Sequence, residues 1–261
     1  MGLENPEPVA PRTLPVEASL GWLGTAFAAL YLASVYIKTP VLRPGVTVGD
    51  LIDVATPFVL VFLYARVGWA LGAGDPRPRP GMPRTFRFGP RALLTAGGLA
   101  LVLGHGMHVA ANSIHDAITR ARVPDPFGLV NWWDERVSHY VIDSSKVVIA
   151  AALTLLEPRS HAGPEAASTG ESRPALLAIG AAAYGFIYFA AGVEGGTVPL
   201  LLPSCAAYLV WVLASGRPRG PVRRFFGMGA ALSILLFAVW GVWHRGFPEF
   251  SALGMIPHEG P

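Results

Sequence analysis

Gly104-His105-Gly106-Met107-His108 opens the stretch that decides how this chain is read. Asn112, His115 and Asp116 follow it, then a short basic, proline-containing break, then Asp134-Glu135, His139, Asp143 and Lys146. The residues before Gly104 and those from Val147 to Leu156 are overwhelmingly apolar. Four histidines and four carboxylates therefore lie inside, or at the mouths of, segments that read as membrane-spanning helices. Ionisable groups are expensive in such places, and they mark function by default.

Working outward, seven stretches approach the twenty or so apolar residues that a helix needs to cross the hydrocarbon core. They run roughly over 18–37, 48–72, 91–117, 130–156, 174–192, 197–214 and 224–243. The composition agrees, with 52% hydrophobic residues, 14% charged residues and a mean hydropathy of +0.45. Soluble domains carry nearer a quarter charged residues. The expected fold is an all-α integral membrane protein, a seven-transmembrane-helix bundle occupying 18–245. A proline- and glutamate-rich tail, 1–17, precedes it and reads as disordered; a short tail, 246–261, follows it and reads as loose. The first apolar run lacks the basic start and the cleavage motif of a secretory signal, so it reads as a retained span.

The single cysteine, Cys205, excludes an intrachain disulfide framework and a cysteine-based metal cage. No basic-plus-aromatic patch of the nucleic-acid kind occurs, and nucleic acid is not an expected partner. The arginines and lysines instead set orientation. With seven spans, the side that holds the N-terminus carries Arg12, the Arg77–Arg91 group, Arg159, Arg173 and the Arg217–Arg224 group, twelve in all. The other side carries five: Lys38, Arg43, Arg120, Arg122 and Arg245. The positive-inside rule puts the N-terminus in the cytoplasm and the C-terminus outside, with the plasma (inner) membrane as the expected location. On that orientation every histidine but His161 falls in the outer half, together with Asp50, Asp53, Asp134, Glu135 and Glu194. Trp132, Trp133, Trp240 and Trp243 fall at the same boundary, where indoles settle.

At 100° per residue, His105, His108, Asn112, His115 and Asp116 share an arc of about 100° on the third span. Glu135, His139, Asp143 and Lys146 share about 80° on the fourth, and Glu135 and His139 are at i and i+4. Spans three and four are antiparallel neighbours, so the stripes can face one another.

Imidazoles and carboxylates on facing helices make a nitrogen/oxygen site suited to a divalent metal such as zinc. His105, His108, His139 and Glu135 are the leading ligand candidates, with His115, Asp134, Glu194 and His244 as a fourth ligand or supporting groups. A metal with one open position activates water for attack on an ester or amide. In that scheme Glu135 or Asp134 is the general base and Asn112 orients substrate or donates to an oxyanion. The leading expectation is thus a metal-dependent hydrolase acting on a membrane lipid or small amphipathic substrate from an outward-facing cavity. Two alternatives use the same residues: a transporter or proton-handling protein, and a redox protein with a haem held by His105 and His139. A transporter also needs polar access from the cytoplasmic side, and by hydropathy Asp143 and Lys146 are the last polar steps before an apolar stretch. Lys146 reads most simply as an ion pair with Asp143, three residues before it. Asp53 reads as a pocket candidate, or as a residue suited to the N-terminal end of its helix.

The architecture, seven spans with histidines and carboxylates in the bundle, resembles the superfamily of alkaline ceramidases and adiponectin-type receptors, which implies zinc-dependent lipid amidase chemistry. That superfamily divides its ligands between an early helix and a late His-x-x-x-His, whereas the seventh span here offers only His244. No residue assignment carries over.

Overall fold

The computed structural model describes residues 16–41, 46–72, 84–125, 128–157, 173–215 and 220–256. The N-terminal tail to residue 15 and most of the arginine-bearing loops of the orientation argument lie outside the described residues. Among the described residues the chain is helical and contains no strand, only an isolated bridge between Pro40 and Thr47. The helices are α1 (Val16–Tyr36), α2 (Val48–Gly72), α3 (Arg84–Arg120), α4 (Leu129–Leu156), α5 (Pro174–Glu194), α6 (Val198–Ala214) and α7 (Pro221–His244). Six are long and apolar enough to span a membrane; α6, with 17 residues, is apolar but shorter. Large hydrophobic side chains such as Leu99, Val210, Val242 and Trp243 are exposed around the bundle. A surface of that kind belongs in lipid.

Local chemistry sets the helix ends. Pro174, Pro199 and Pro221 stand in the first turns of α5, α6 and α7, where a missing N–H costs nothing. Gly196 takes φ +61° in the turn between α5 and α6, a conformation that a Cβ would strain. At both ends α3 runs beyond its apolar run. The apolar run measures the hydrocarbon layer; the hydrogen-bonded helix does not stop where that layer does.

Two groups of helices pack most extensively, α3 with α4, and α5 with α1 on one side and α7 on the other; α2 lies against α1. Small residues make the second group close. A Cβ on Gly24 would run into the backbone of Gly180, and one on Gly185 would lie 2.9 Å from Gly229 Cα. In the first group, Gly104 brings α3 onto α4 beside the polar stretch, where a Cβ would lie 2.7 Å from Ile142 Cγ1 and 3.0 Å from its amide nitrogen. Gly106, by contrast, faces open space. Phe27, Tyr184, Phe189, Phe225 and Phe237 fill the core between α1, α5 and α7.

The tail after His244 is not loose as far as residue 256. Trp240 Nε1 donates to Pro248 O at 3.1 Å, Phe250 packs on Trp240 at 4.6 Å, and Ser251 N donates to Glu194 Oε2 at 3.2 Å. Aromatic burial against the end of α7 outweighs the few polar residues that make this segment look unstructured.

Candidate functional site

α4 is not α-helical throughout. Trp132–Ser138 forms a π-helical segment, which reads directly into the α-helical run from His139. Its i→i+5 bonding puts residues five apart on one face. As a result Asp134, not Glu135, turns inward: Asp134 is 3% exposed, whereas the Glu135 side chain is 47% exposed. Ser138, also buried, donates its hydroxyl to the Asp134 carbonyl within this segment.

Three helices then bring the candidate groups together. From α2, Asp53 places Oδ1 3.5 Å from His105 Nδ1 and Oδ2 3.8 Å from His108 Nε2. The other nitrogen of that imidazole, His108 Nδ1, lies 2.7 Å from Asp134 Oδ1. That approach lacks the alignment of a hydrogen bond, and His105 Nδ1, His108 Nδ1 and Asp134 Oδ1 are all buried without one. The His108 and His139 rings meet edge to face at 4.9 Å, so the stripes on α3 and α4 do face one another. His139 Nε2 is 3.9 Å from Glu135 Oε2, an ion-pair distance only. Gly195 closes over this imidazole, since a Cβ there would lie 2.5 Å from His139 Nδ1. Asp53, peripheral in the sequence reading, sits at the centre of the group.

Other candidates lie apart from it. Among the described hydrogen bonds none links Asn112 to the group, and His115 stands about 10 Å further along α3 than His108, at 1.5 Å per residue. His115 Nδ1 is buried without a hydrogen bond. His244 packs tilted against Trp240 of its own helix at 4.1 Å, and Glu194 accepts from Ser251 in the folded-back tail. The Asp116 side chain lies outside the described residues. As placed, no three His, Cys, Asp or Glu donors among the described residues are arranged to hold one metal ion.

Below the histidines the polar groups continue. Lys146 Nζ pairs with Asp143 Oδ1 at 2.6 Å, as the spacing requires, and Thr197 at the start of α6 donates its hydroxyl to Asp143 Oδ2. Both charged residues are buried, 1% exposed for Asp143 and 3% for Lys146. The ammonium also lies 5.2 Å from the Phe27 ring centre and 5.7 Å from that of Tyr188. Beyond Lys146 lies a small, partly open cavity of about 50 Å³ between α4, α5, α6 and α7. Ala150 lines it, together with the polar side chains of Tyr188, Ser204, Cys205, Tyr208 and Ser233. On its far side Tyr208 and Thr154 share a hydrogen bond of 2.8 Å. One turn further, Glu157 and Arg223 pair at 3.7 Å, and Glu157 Oε1 accepts the Val222 amide at 2.8 Å.

His139, Asp143, Lys146, Ala150, Thr154 and Glu157 recur at intervals of three and four, and so occupy one face of α4. At 1.5 Å per residue the face extends about 27 Å, close to the thickness of a hydrocarbon core. Only Ala150 is apolar, and at that level the cavity lies against the helix. Hydropathy hides this face, because Thr154 and Glu157 are averaged with Leu153, Leu155 and Leu156. The i, i+3, i+4 spacing was the signal that could have found it.

No protein-family model matches the chain, and neither a curated protein nor a solved structure matches it.

Proposed function

We propose that the protein handles protons across the membrane, along the polar face of α4. The observation that carries this reading is the run of polar groups that begins at the half-buried His139 and continues through the buried Asp143, Lys146 and Thr154 to Glu157. Each pair of neighbours is one turn apart except across Ala150, where a cavity bordered by hydroxyls and an ammonium offers water the partners that it needs. Imidazole, carboxylate, amine and hydroxyl groups all exchange protons, and a buried ion pair in the path leaves little room for a larger solute. On the expected orientation the histidine end faces outward and Glu157 and Arg223 face the cytoplasm. The apolar outer surface seats the bundle in lipid. Polar steps on both sides of Lys146 favour this reading over a hydrolase, which needs only an outer opening. Of the two general-base candidates, Asp134 is buried against His108, and only Glu135, 47% exposed, reaches water.

The test is proton flux into proteoliposomes that contain a trapped pH-sensitive dye, under an imposed potential. Wild type is expected to exceed empty liposomes, and Tyr208→Phe, which removes one hydroxyl and keeps the ring, to lower the rate severalfold. Wild-type flux equal to that of empty liposomes rejects the proposal. Cleavage of lipid esters or amides by the same preparation would restore the hydrolase.

A further inference from the structure

We infer that Asp53, His105 and His108 bind a first-row divalent cation of the zinc type, with Asp134 orienting His108. This goes beyond proton handling and stands without it. The separations of 3.5 and 3.8 Å between the Asp53 oxygens and the two imidazole nitrogens are too long for hydrogen bonds. Tetrahedral bonds of about 2.0–2.2 Å set neighbouring donor atoms roughly 3.3–3.6 Å apart, a range that includes the His105 separation and falls just short of the His108 one.

A second observation is independent of those distances. The two nitrogens of His108 have different partners, Asp53 at Nε2 and Asp134 at Nδ1. Histidines that hold a metal through one nitrogen characteristically give the other N–H to a carboxylate, which fixes the tautomer and the ring. Asp134 sets a carboxylate oxygen 2.7 Å from Nδ1, from a position 3% exposed, close enough for that bond though not aligned for it as the ring stands. A carboxylate buried so deeply is costly unless it completes an arrangement of this sort.

The donors come from two helices, α2 and α3. His105 and His108, three residues apart, project on the same side of α3. As they stand the donors do not converge on one point, so binding requires their side chains to rotate; Asp53, 22% exposed, and His108, 24% exposed, are only partly buried. The His139 ring, in contact with that of His108, then borders the open side of the ion. An all-nitrogen-and-oxygen set with two imidazoles favours zinc, cobalt or nickel over calcium or magnesium.

The test titrates the full-length, chelator-treated protein in detergent with cobalt(II), whose visible bands report tetrahedral nitrogen/oxygen ligation. Wild type is expected to bind a single cobalt per chain, displaced by zinc. Asp53→Asn and His105→Gln are each expected to weaken binding by at least ~10-fold, given that even supporting groups are worth 10–100-fold. A folded wild type without cobalt bands overturns the inference. So does an Asp53→Asn protein that binds as tightly as wild type, or loss of binding in His115→Gln alone. Ring-nitrogen NMR of zinc-loaded wild type decides the matter without any variant: His105 Nδ1 and His108 Nε2 should be the shifted nitrogens. Cobalt binding and proton flux are separate readouts, so either can fail while the other holds.

Discussion

Lys146 and Asp143 form a buried ion pair at 2.6 Å in the middle of α4, and Thr197 from the next hairpin holds the carboxylate in place. The pair is flanked by two aromatic rings, and little solvent reaches it. Removing one charge is therefore far worse than removing both. Asp143→Ala should lower stability by about 3–5 kcal/mol, because it strands the ammonium. The double variant Asp143→Leu with Lys146→Met should recover most of that loss. Thermal unfolding in a single detergent measures all three, and a double variant no better than Asp143→Ala would refute the account.

Thr197→Val tests the support from α6. It keeps the shape and removes the hydroxyl, so the carboxylate loses one charge-assisted hydrogen bond. The expected cost is about 1.5–3 kcal/mol. Thr197→Ser should cost much less, which separates the hydrogen bond from helix packing.

Ala150 marks the one level of α4 at which a cavity replaces a polar side chain. Ala150→Leu fills part of it with hydrocarbon. Proton flux should fall about tenfold or more, while cobalt binding near His108 stays unchanged. An undiminished flux would place the path elsewhere.

Asp134→Asn keeps volume and removes the charge beside His108 Nδ1. Cobalt affinity should drop by roughly 10–100-fold with the stoichiometry intact, as expected of a group that positions a ligand. Loss of the tetrahedral spectrum would instead make Asp134 a ligand itself.

Gly24→Val forces a side chain into the Gly180 backbone, where no side chain can yield. Overpacking of this kind costs about 1–3 kcal/mol and sometimes more. Gly106→Ala, which meets open space, should be tolerated. Size-exclusion profiles and melting curves distinguish the two.

The all-helical architecture, with six helices long and apolar enough to span a membrane, was legible because apolar runs near twenty residues admit few alternatives. The facing of α3 and α4 was legible too, since angular position on a helix follows from spacing alone. The inner side of the centre was not. Asp53 lies on a different helix from the histidines, and no periodicity within α2 says which neighbour it meets. Asp134 displaced Glu135 because the π segment shifts the register by one residue, and Trp132–Ser138 carries no helix breaker to announce it. Lys146 found Asp143 by spacing, but its rings come from Phe27 and Tyr188, distant in the chain. The lower half of the α4 face escaped a hydropathy average that its own three-and-four spacing contradicts.

The glycine contacts that draw α1, α5 and α7 together have a mechanical side. Gly24 against Gly180 and Gly185 against Gly229 join backbone to backbone, so at those points the three helices have no side chain that could yield, and aromatic pairs such as Phe27–Tyr184 and Phe189–Phe237 pack beside them. The α3–α4 pair meets that unit through side chains, and Lys146 points across the seam to Phe27 on α1 and Tyr188 on α5. A rocking of one unit against the other would be felt first at the ammonium.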